Sequence, residues 1–220
     1  VCTVSGLLQR TLPPEVLENA AFTLTAGEGD GPEALEPRLL ACGYRRSDMV
    51  EGPGQFSRGG GILDIFSPGA ERPVRAEFWG DEIDSMGFFD TDTQRRAENI
   101  DSFRVLPACE SLVDPNRADS IAKALLSRAA RAERRGSTEL SRRLRRDAEL
   151  VSSGAPLPWS DRYLPELYGE YATALDYIAP DAIVYIDAPN RCAEKAKDVA
   201  DAIADDLKIL GEGAVTVADK

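Results

Sequence analysis

The sequence predicts an α/β fold, with α/β segments at both ends of the chain and a small antiparallel α+β module inserted between them. Three observations predict this class. Residues 48–105 are rich in β-branched and aromatic residues broken by Gly and Pro turn signals, which is typical of short strands. From Asn116 onward, apolar residues recur with a helical period. Residues 182–187 form a continuous apolar run, typical of a strand buried in a parallel sheet.

The expected boundaries follow from these changes of pattern. Residues 1–26 are assigned to the end of a first α/β segment, in which residues 1–8 have the pattern of a buried strand running into a short helix or turn. Residues 27–106 form the inserted module, and residues 107–220 form a second α/β segment with a helical arm. The chain starts without Met and inside a strand-like pattern, so we expect a fragment of a longer protein.

The inserted module is predicted to contain one helix followed by antiparallel strands. Pro32–Cys42 places leucines on one helical face, and Gly43 behind it is a typical C-terminal stop. Gly80-Asp81 between two strand-like runs is a signal for a two-residue hairpin turn. Strands are predicted at 62–66, 74–79, 83–89 and 102–106, which form one small sheet, and at 22–25 before the helix.

The second flanking segment is predicted to be helical before it becomes α/β. Apolar residues at helical spacing predict two amphipathic helices between Asn116 and Val151, interrupted by Gly136. The remaining predictions are a helix at 163–177 and a strand–helix–strand unit at 182–187, 191–210 and 215–217.

The composition predicts a globular protein of the reducing cytoplasm. The 220 residues are 43% hydrophobic, which is enough for a packed core and excludes a disordered class. A net charge of −12 makes the chain a poor general binder of nucleic acid, because phosphate repels it. The four cysteines are far apart and form no C-x-x-C pair, so neither a zinc site nor a disulfide framework is expected. No membrane span or signal peptide is recognisable.

The sequence offers no recognisable catalytic or cofactor site. There is no histidine to activate a nucleophile. Gly59–Gly61 lacks the lysine of a phosphate-binding loop and precedes a strand, so these glycines are expected to mark a bulge or a tight backbone approach. Asp187 lacks the second acid of a nucleotide hydrolase. We therefore expect no catalytic residue, metal, cofactor, small-molecule substrate or ATP turnover in this chain.

The strand at 74–79 is predicted to carry a binding surface. Alternate residues of a strand share a face, so Arg75, Glu77 and Trp79 point one way. The residues between them, including Phe78, are apolar and suit a core. An exposed Trp beside Arg has the composition of a binding hot spot. A surface strand held by a cation-π contact or a salt bridge, with a half-buried Trp, explains the same pattern equally well.

A second candidate surface is the basic stretch between Arg117 and Arg146. It contains ten Lys or Arg residues against three acids. Contact with a nucleic-acid backbone is one interpretation. The other is the solvated face of two amphipathic helices, which the absence of aromatic stacking residues favours. Any DNA binding is therefore expected to be weak and non-specific.

Several motifs resemble a known family of repair proteins. The module resembles the signature shared by bacterial transcription-repair coupling factors and the excision-repair subunit UvrB, and the likeness is specific over about residues 32–110. Two further motifs resemble the coupling factors more than UvrB. The shared motifs are Gly54–Ser57, Gly60–Phe66 and Pro73–Ile83, and the coupling-factor motifs are Phe89–Arg95 and Leu106–Glu110.

The resemblance implies a fold and a set of partner-binding residues. The family fold places a small insert inside a degenerate helicase-like α/β domain that lacks nucleotide-binding motifs. Arg75 and Glu77 match family residues that contact UvrA, and Trp79 replaces an aromatic that is usually phenylalanine. The family usually has arginine at the position of Gly59, and here Arg58 lies one residue earlier. A charge reversal at Arg75 is expected to abolish UvrA binding and to leave the fold intact.

The function implied is recruitment of UvrA to stalled transcription complexes by a non-catalytic region. In the full-length family protein, RNA polymerase and DNA are further partners, and an ATP-dependent translocase motor lies outside this segment. The alternative function is a DNA-contacting module that uses the basic helices at 117–146.

Overall fold

The computed structural model describes residues 1–154, 157, 163–169 and 172–210. The chain divides into two compact units. One unit comprises residues 15–112, and the other combines residues 1–14 with the chain from Val113 onward. Helices and a small antiparallel sheet are both present, so the predicted α/β class is confirmed.

The inserted unit, residues 15–112, is built on a six-stranded sheet. Its strands follow each other in chain order, and all neighbours are antiparallel except the short parallel pair at the first edge. The predicted hairpin across Gly80-Asp81 is confirmed, with Trp79 paired to Glu82. The strands are β2 (Arg45–Arg46), β3 (Gln55–Gly59), β4 (Ile62–Phe66), β5 (Val74–Trp79), β6 (Glu82–Phe89) and β7 (Arg96–Ile100).

The glycine run Gly59–Gly61 connects β3 to β4. Gly60 takes a φ of +59°, which an L side chain rarely adopts. A Cβ on Gly61 would lie 2.9 Å from the Phe78 carbonyl oxygen. The predicted tight backbone approach is therefore confirmed, and it lies in a hairpin turn.

A separate two-stranded sheet holds the two ends of the inserted unit. Strand β1 (Phe22–Thr25) pairs antiparallel with β8 (Ser102–Val105), with Phe22 opposite Val105. The prediction that the last strand joins the main sheet is wrong. Only Asp101 separates β7 from β8, and its carbonyl accepts a hydrogen bond from Ala26 at 2.9 Å, which directs the chain toward β1.

One helix covers one face of the main sheet and closes its core. Helix α3 (Gly31–Ala41) buries Leu35 and Leu39 in a single cluster with the β4 and β5 side chains. It ends as predicted before Gly43, whose φ of +84° suits glycine. We call the side of the main sheet that carries α3 the inner face and the opposite side the outer face. A shorter helix, α2 (Pro14–Ala20), precedes β1.

Tyr44 follows this helix and is buried in the same core. Its hydroxyl donates to the Leu106 carbonyl at 2.7 Å, and burial raises the pKa of Tyr44 from 10.0 to about 12. The unfolded chain therefore loses this proton at lower pH than the folded chain does. The stabilisation that comes from the raised pKa of Tyr44 is fully present below about pH 10 and is lost as pH rises toward 12.

We therefore expect the free energy of unfolding to fall by about 1–2 kcal/mol between pH 10 and 12 through Tyr44 alone. Urea titrations at several pH values measure this decline. Tyr44→Phe should flatten it, whereas Tyr185→Phe, at an exposed position, should not. Equal slopes in all three proteins would show that Tyr44 is not the group responsible.

The second unit is largely helical among its described residues. Helices α4 (Ala118–Arg134) and α5 (Thr138–Ser152) form the two predicted amphipathic helices and pack against each other through residues such as Leu125 and Leu144. Gly136, with φ +85°, lies in the connection between them. The other helices are α1 (Val4–Leu7), α6 (Leu164–Tyr168) and α7 (Pro189–Leu210), with 3-10 turns at Pro115–Arg117 and Ala174–Tyr177.

Two local predictions for this unit are wrong in part. Residues 1–8 lack the predicted strand, but the short helix predicted to follow it is present as α1, capped by the Thr3 hydroxyl. The single helix predicted at 163–177 is interrupted after α6, because Gly169 adopts a left-handed φ of +81°. A left-handed residue ends an α-helix by turning its following N–H back toward the helix carbonyls.

The predicted buried strand at 182–187 is also wrong. The segment has no strand conformation, and its apolar side chains are exposed, with Ile183 at 97% and Tyr185 at 88%. A strand requires a neighbouring backbone to pair with. In the described part of this unit, the β-pairing found is the isolated bridge between Thr11 and Ala172. The strand predicted at 215–217 lies outside the described residues.

Candidate protein-interaction surface

The candidate residues of β5 lie in rows across the outer face of the main sheet. Residues paired across antiparallel strands point to the same side. Asp64, Arg75 and Gly87 form one such row. In the next row Glu77 lies between Ile62 and Ser85, and Trp79 follows at the hairpin end.

The predicted alternation along β5 is observed. Val74 and Ala76 are fully buried beneath α3, whereas Arg75 and Glu77 are not. Phe78 packs against the core but is only partly buried. The register shifts between Glu77 and Phe78, so the end of β5 is less completely covered than its middle.

Arg75 is held in place by a bidentate ion pair. Its Nε donates to Asp64 Oδ1 at 2.8 Å, and Nη2 donates to Oδ2 at 2.7 Å. The Asp64 side chain is 10% exposed and that of Arg75 is 20% exposed. These hydrogen bonds raise the pKa of Arg75 further above its ordinary value, at which the guanidinium is already charged at physiological pH. The guanidinium also lies 4.6 Å from the centre of the Phe89 ring.

The loop after β6 supplies further acceptors for Arg75. Its Nη2 donates to Gln94 Oε1 at 3.1 Å, and Gln94 has a left-handed φ of 59°. The loop is stabilised by Asp90, whose carboxylate accepts hydrogen bonds from the Thr93 backbone and hydroxyl at 2.8 Å each. The Thr93 backbone bond lowers the pKa of Asp90 most. The loop therefore presents Gln94 to Arg75 in a defined position.

Gly87 leaves the space that this arrangement needs. It lies opposite Arg75 on β6. A Cβ at this position would lie 2.5 Å from Arg96 Nε and 2.6 Å from the Glu98 carbonyl oxygen. Any larger residue would therefore displace Arg96 from its place beside the outer face.

Glu77 belongs to a second polar network. Arg96 Nη1 lies 3.1 Å from Glu77 Oε1 and donates to Ser85 Oγ at 2.9 Å. The Ser85 hydroxyl in turn donates to Glu77 Oε2 at 3.4 Å. The carboxylate is thus oriented but remains partly exposed, so it retains capacity to accept hydrogen bonds from a partner.

Trp79 is the most exposed of the candidate residues. Its side chain is 85% exposed and stands at the hairpin beside Gly80. The alternative interpretation is therefore wrong about the burial of Trp79, although the salt-bridged strand that it predicted is present at Arg75 and Glu77. A large aromatic side chain in water at the end of a row of ordered charged groups is the arrangement expected of a protein-binding surface.

Arg58 does not join these three residues. It pairs with Leu63 across β3 and β4, which places it on the inner face. There its guanidinium lies 2.5 Å from Glu33 and 2.6 Å from Glu36, both on α3. The one-residue displacement from Gly59 has moved the arginine to the other side of the sheet, because side chains alternate with period two. Gly59 itself lies on the outer face, in the row of Ile62 and Glu77.

Sequence reasoning missed three residues that order this surface. Asp64 alternates with the buried Leu63 and Ile65, so the same period-two argument identifies it as an outer-face residue. Gln94 and Arg96 lie in a polar stretch without periodicity, and no local pattern indicates their contacts with β5.

Comparison with known proteins gives a family match for the inserted unit. Residues 22–110 match the family described as UvrB interaction domain. The chain is 32% identical to the transcription-repair-coupling factor of Bacillus subtilis over 94% of its own length and 18% of the relative's. It is 30% identical to that of Haemophilus influenzae over 90% of the chain and 17% of the relative.

The chain belongs to the transcription-repair-coupling factor family. The Escherichia coli relative shares 37% identity over 52% of the chain and 10% of its own length. The chain thus spans less than a fifth of the length of each of these three relatives. The part of a transcription-repair-coupling factor that it matches contains a non-catalytic interaction module of a DNA-repair protein.

Two further findings bear on the predicted absences. Among the described residues, no group of three His, Cys, Asp or Glu side chains is arranged to hold a metal ion. In the same part of the chain, no helix is both long and apolar enough to span a bilayer.

Proposed function

We propose that this chain binds UvrA through Arg75, Glu77 and Trp79 on the outer face of its inserted unit. In the full-length protein, which also binds RNA polymerase and DNA, this contact recruits UvrA to stalled transcription complexes. The observation that carries the proposal is the exposed Trp79 beside two charged side chains whose positions are already fixed. The resemblance of the module to UvrA-binding modules gives the partner.

The arrangement is suited to rapid and specific docking. Ordered side chains lose little conformational entropy on binding, because Asp64, Gln94 and Arg96 already hold the charged groups. Trp79 offers the apolar anchor that such surfaces require, and the surrounding charged rows select the partner. Arg58 is not part of the proposed surface, because it is engaged with α3.

Titration of the purified chain with UvrA tests the proposal. We expect a saturable one-to-one complex, measured by calorimetry or by anisotropy of the labelled chain. The same titration with UvrB in place of UvrA is the control for general adhesion. Absence of a UvrA complex at micromolar concentrations, with the chain folded, would contradict the proposal.

Restoring an arginine at Gly59 should strengthen the complex. Gly59 lies on the outer face, and a Cβ added there would have no neighbouring atom within 4 Å. The φ of Gly59 is not left-handed, so a side chain is tolerated. One new charge-assisted contact should tighten binding by roughly tenfold, about 1.4 kcal/mol. The measurement is the dissociation constant of Gly59→Arg for UvrA.

Leu40→Arg is the matched control for this change. It adds the same charge to the same unit, at an exposed position on the helix that covers the inner face. We expect its dissociation constant to stay within twofold of the wild-type value. If both variants bind UvrA more tightly by the same factor, the gain comes from net charge and the assignment of the outer face is wrong.

A further inference from the structure

The tip of the α4–α5 hairpin, residues 131–146, is strongly basic. It contains seven arginines and two glutamates, a net charge of +5, in a chain whose net charge is −12. The remainder of the chain is therefore more acidic than the whole. Such a separation of charge within one chain favours an anionic partner at the tip and disfavours it elsewhere.

Most of these arginines are not neutralised by the protein. Arg142 pairs with Glu139 at 2.7 Å, and Arg145 pairs with Glu133 at 2.6 Å, all four side chains being exposed. The other arginines of the tip are exposed and form no ion pair with any described residue. They are Arg131, Arg134, Arg135, Arg143 and Arg146.

The arginines of the inserted unit behave differently. The majority of them are paired with an acid, as are Arg46, Arg58, Arg72, Arg75, Arg96 and Arg104. With 38 acidic residues in the chain, pairing is readily available. The unpaired arginines gathered at the tip leave their guanidinium groups available to an anionic partner.

The tip is a well-ordered support for these side chains. Ala129 and Leu144 are buried in one cluster that joins the two helices, and Ala132 in the tip itself is also buried. Gly136 makes the tight connection, with a φ of +85°. Arg131 and Arg134 have the i, i+3 spacing of neighbours on α4, with Cβ atoms about 5–6 Å apart, and Arg135 caps the end of that helix.

We propose that the hairpin tip binds the phosphate backbone of duplex nucleic acid. Arginine forks donate two hydrogen bonds to a phosphate, and a backbone contact requires no base-reading group. The stretch from Arg117 to Arg146 contains no aromatic residue, which excludes the stacking on which single-strand binding depends. This contact is independent of the UvrA surface, which lies in the other unit.

The experiment measures binding of the whole chain to a labelled duplex of about 25 base pairs by fluorescence anisotropy at several salt concentrations. With about four to five phosphates neutralised, log K should fall with log salt with a slope of about −4. Arg131→Gln/Arg134→Gln/Arg143→Gln should weaken binding at low salt at least tenfold and make the slope shallower by about two to three. Circular dichroism and thermal melts establish that the helices remain intact.

The matched control is Arg45→Gln/Arg95→Gln/Arg191→Gln, which removes the same charge at exposed positions elsewhere. We expect less than a twofold loss of affinity. An equal loss in both triple variants, or no duplex binding by the wild-type chain at low salt, overturns the proposal. Polyglutamate is the competing probe: if it displaces the duplex at equal charge concentration, the tip recognises an acidic polypeptide and the nucleic-acid assignment is wrong.

Discussion

Replacing Arg75 by glutamate should lower the free energy of unfolding of the inserted unit by about 3–5 kcal/mol. The change removes a bidentate partner from the nearly buried Asp64 and puts a second carboxylate beside it. A buried charge that loses its counter-ion retains the full desolvation penalty without compensation. Urea denaturation followed by circular dichroism measures the loss.

Two variants make this result specific. Arg104→Glu breaks an exposed ion pair with Glu18, so it should change stability by about 1 kcal/mol or less. Arg75→Met combined with Asp64→Leu removes both charges and should recover most of the lost stability, since an apolar pair of similar size replaces a buried ion pair well. Wild-type stability of Arg75→Glu would mean that the ion pair does not stabilise the unit.

Loss of UvrA binding by Arg75→Glu alone is therefore not a clean test of docking. The sequence predicted that this reversal leaves the fold intact, but the ion pair with Asp64 leads us to expect destabilisation as well. A binding test at this position must be read together with the measured stability of each variant.

Trp79→Ala is the decisive test of the docking surface. Because the side chain is 85% exposed, we expect the free energy of unfolding to change by less than about 0.5 kcal/mol. Removing a central aromatic anchor should weaken UvrA binding by about 2 kcal/mol or more, which is roughly thirtyfold. Calorimetric titration and a urea melt of the same preparation measure both quantities.

Phe78→Ala, one residue earlier, is the contrasting variant. The Phe78 side chain packs against the core but is only partly buried. We therefore expect its removal to lower the free energy of unfolding by roughly 1–2 kcal/mol, less than for a fully buried phenylalanine. If Trp79→Ala binds UvrA with wild-type affinity, the docking surface lies elsewhere. If it destabilises the unit as much as Phe78→Ala does, Trp79 contributes to packing.

The sequence predicted those parts of the fold that local rules determine. Period-two alternation identified which residues of β5 are buried, and Gly80-Asp81 located the hairpin. Gly43 marked the end of α3, and Gly136 marked the break between α4 and α5. Each of these features depends on neighbours within a few residues along the chain.

The features that sequence reasoning missed depend on distant partners. The position of Arg75 requires Asp64 from one strand and Gln94 from a loop with an unusual φ. Alternation along β4 indicates the face of Asp64, but no local pattern indicates that it pairs with Arg75 or that Gln94 contacts it. The apolar run at 182–187 was predicted to be a strand from its composition alone. Composition gives propensity, but a strand also requires a paired backbone, which this segment lacks among the described residues.

The pairing of β1 with β8 suits the inserted unit for transfer into another protein. Neighbouring strands lie about 4.8 Å apart, so the chain enters β1 at Phe22 beside the point where it leaves β8 at Val105. A foreign protein could therefore carry residues 15–112 within a surface loop and lose little loop-closure entropy. The unit should then fold independently within the host protein and expose Trp79 on its surface.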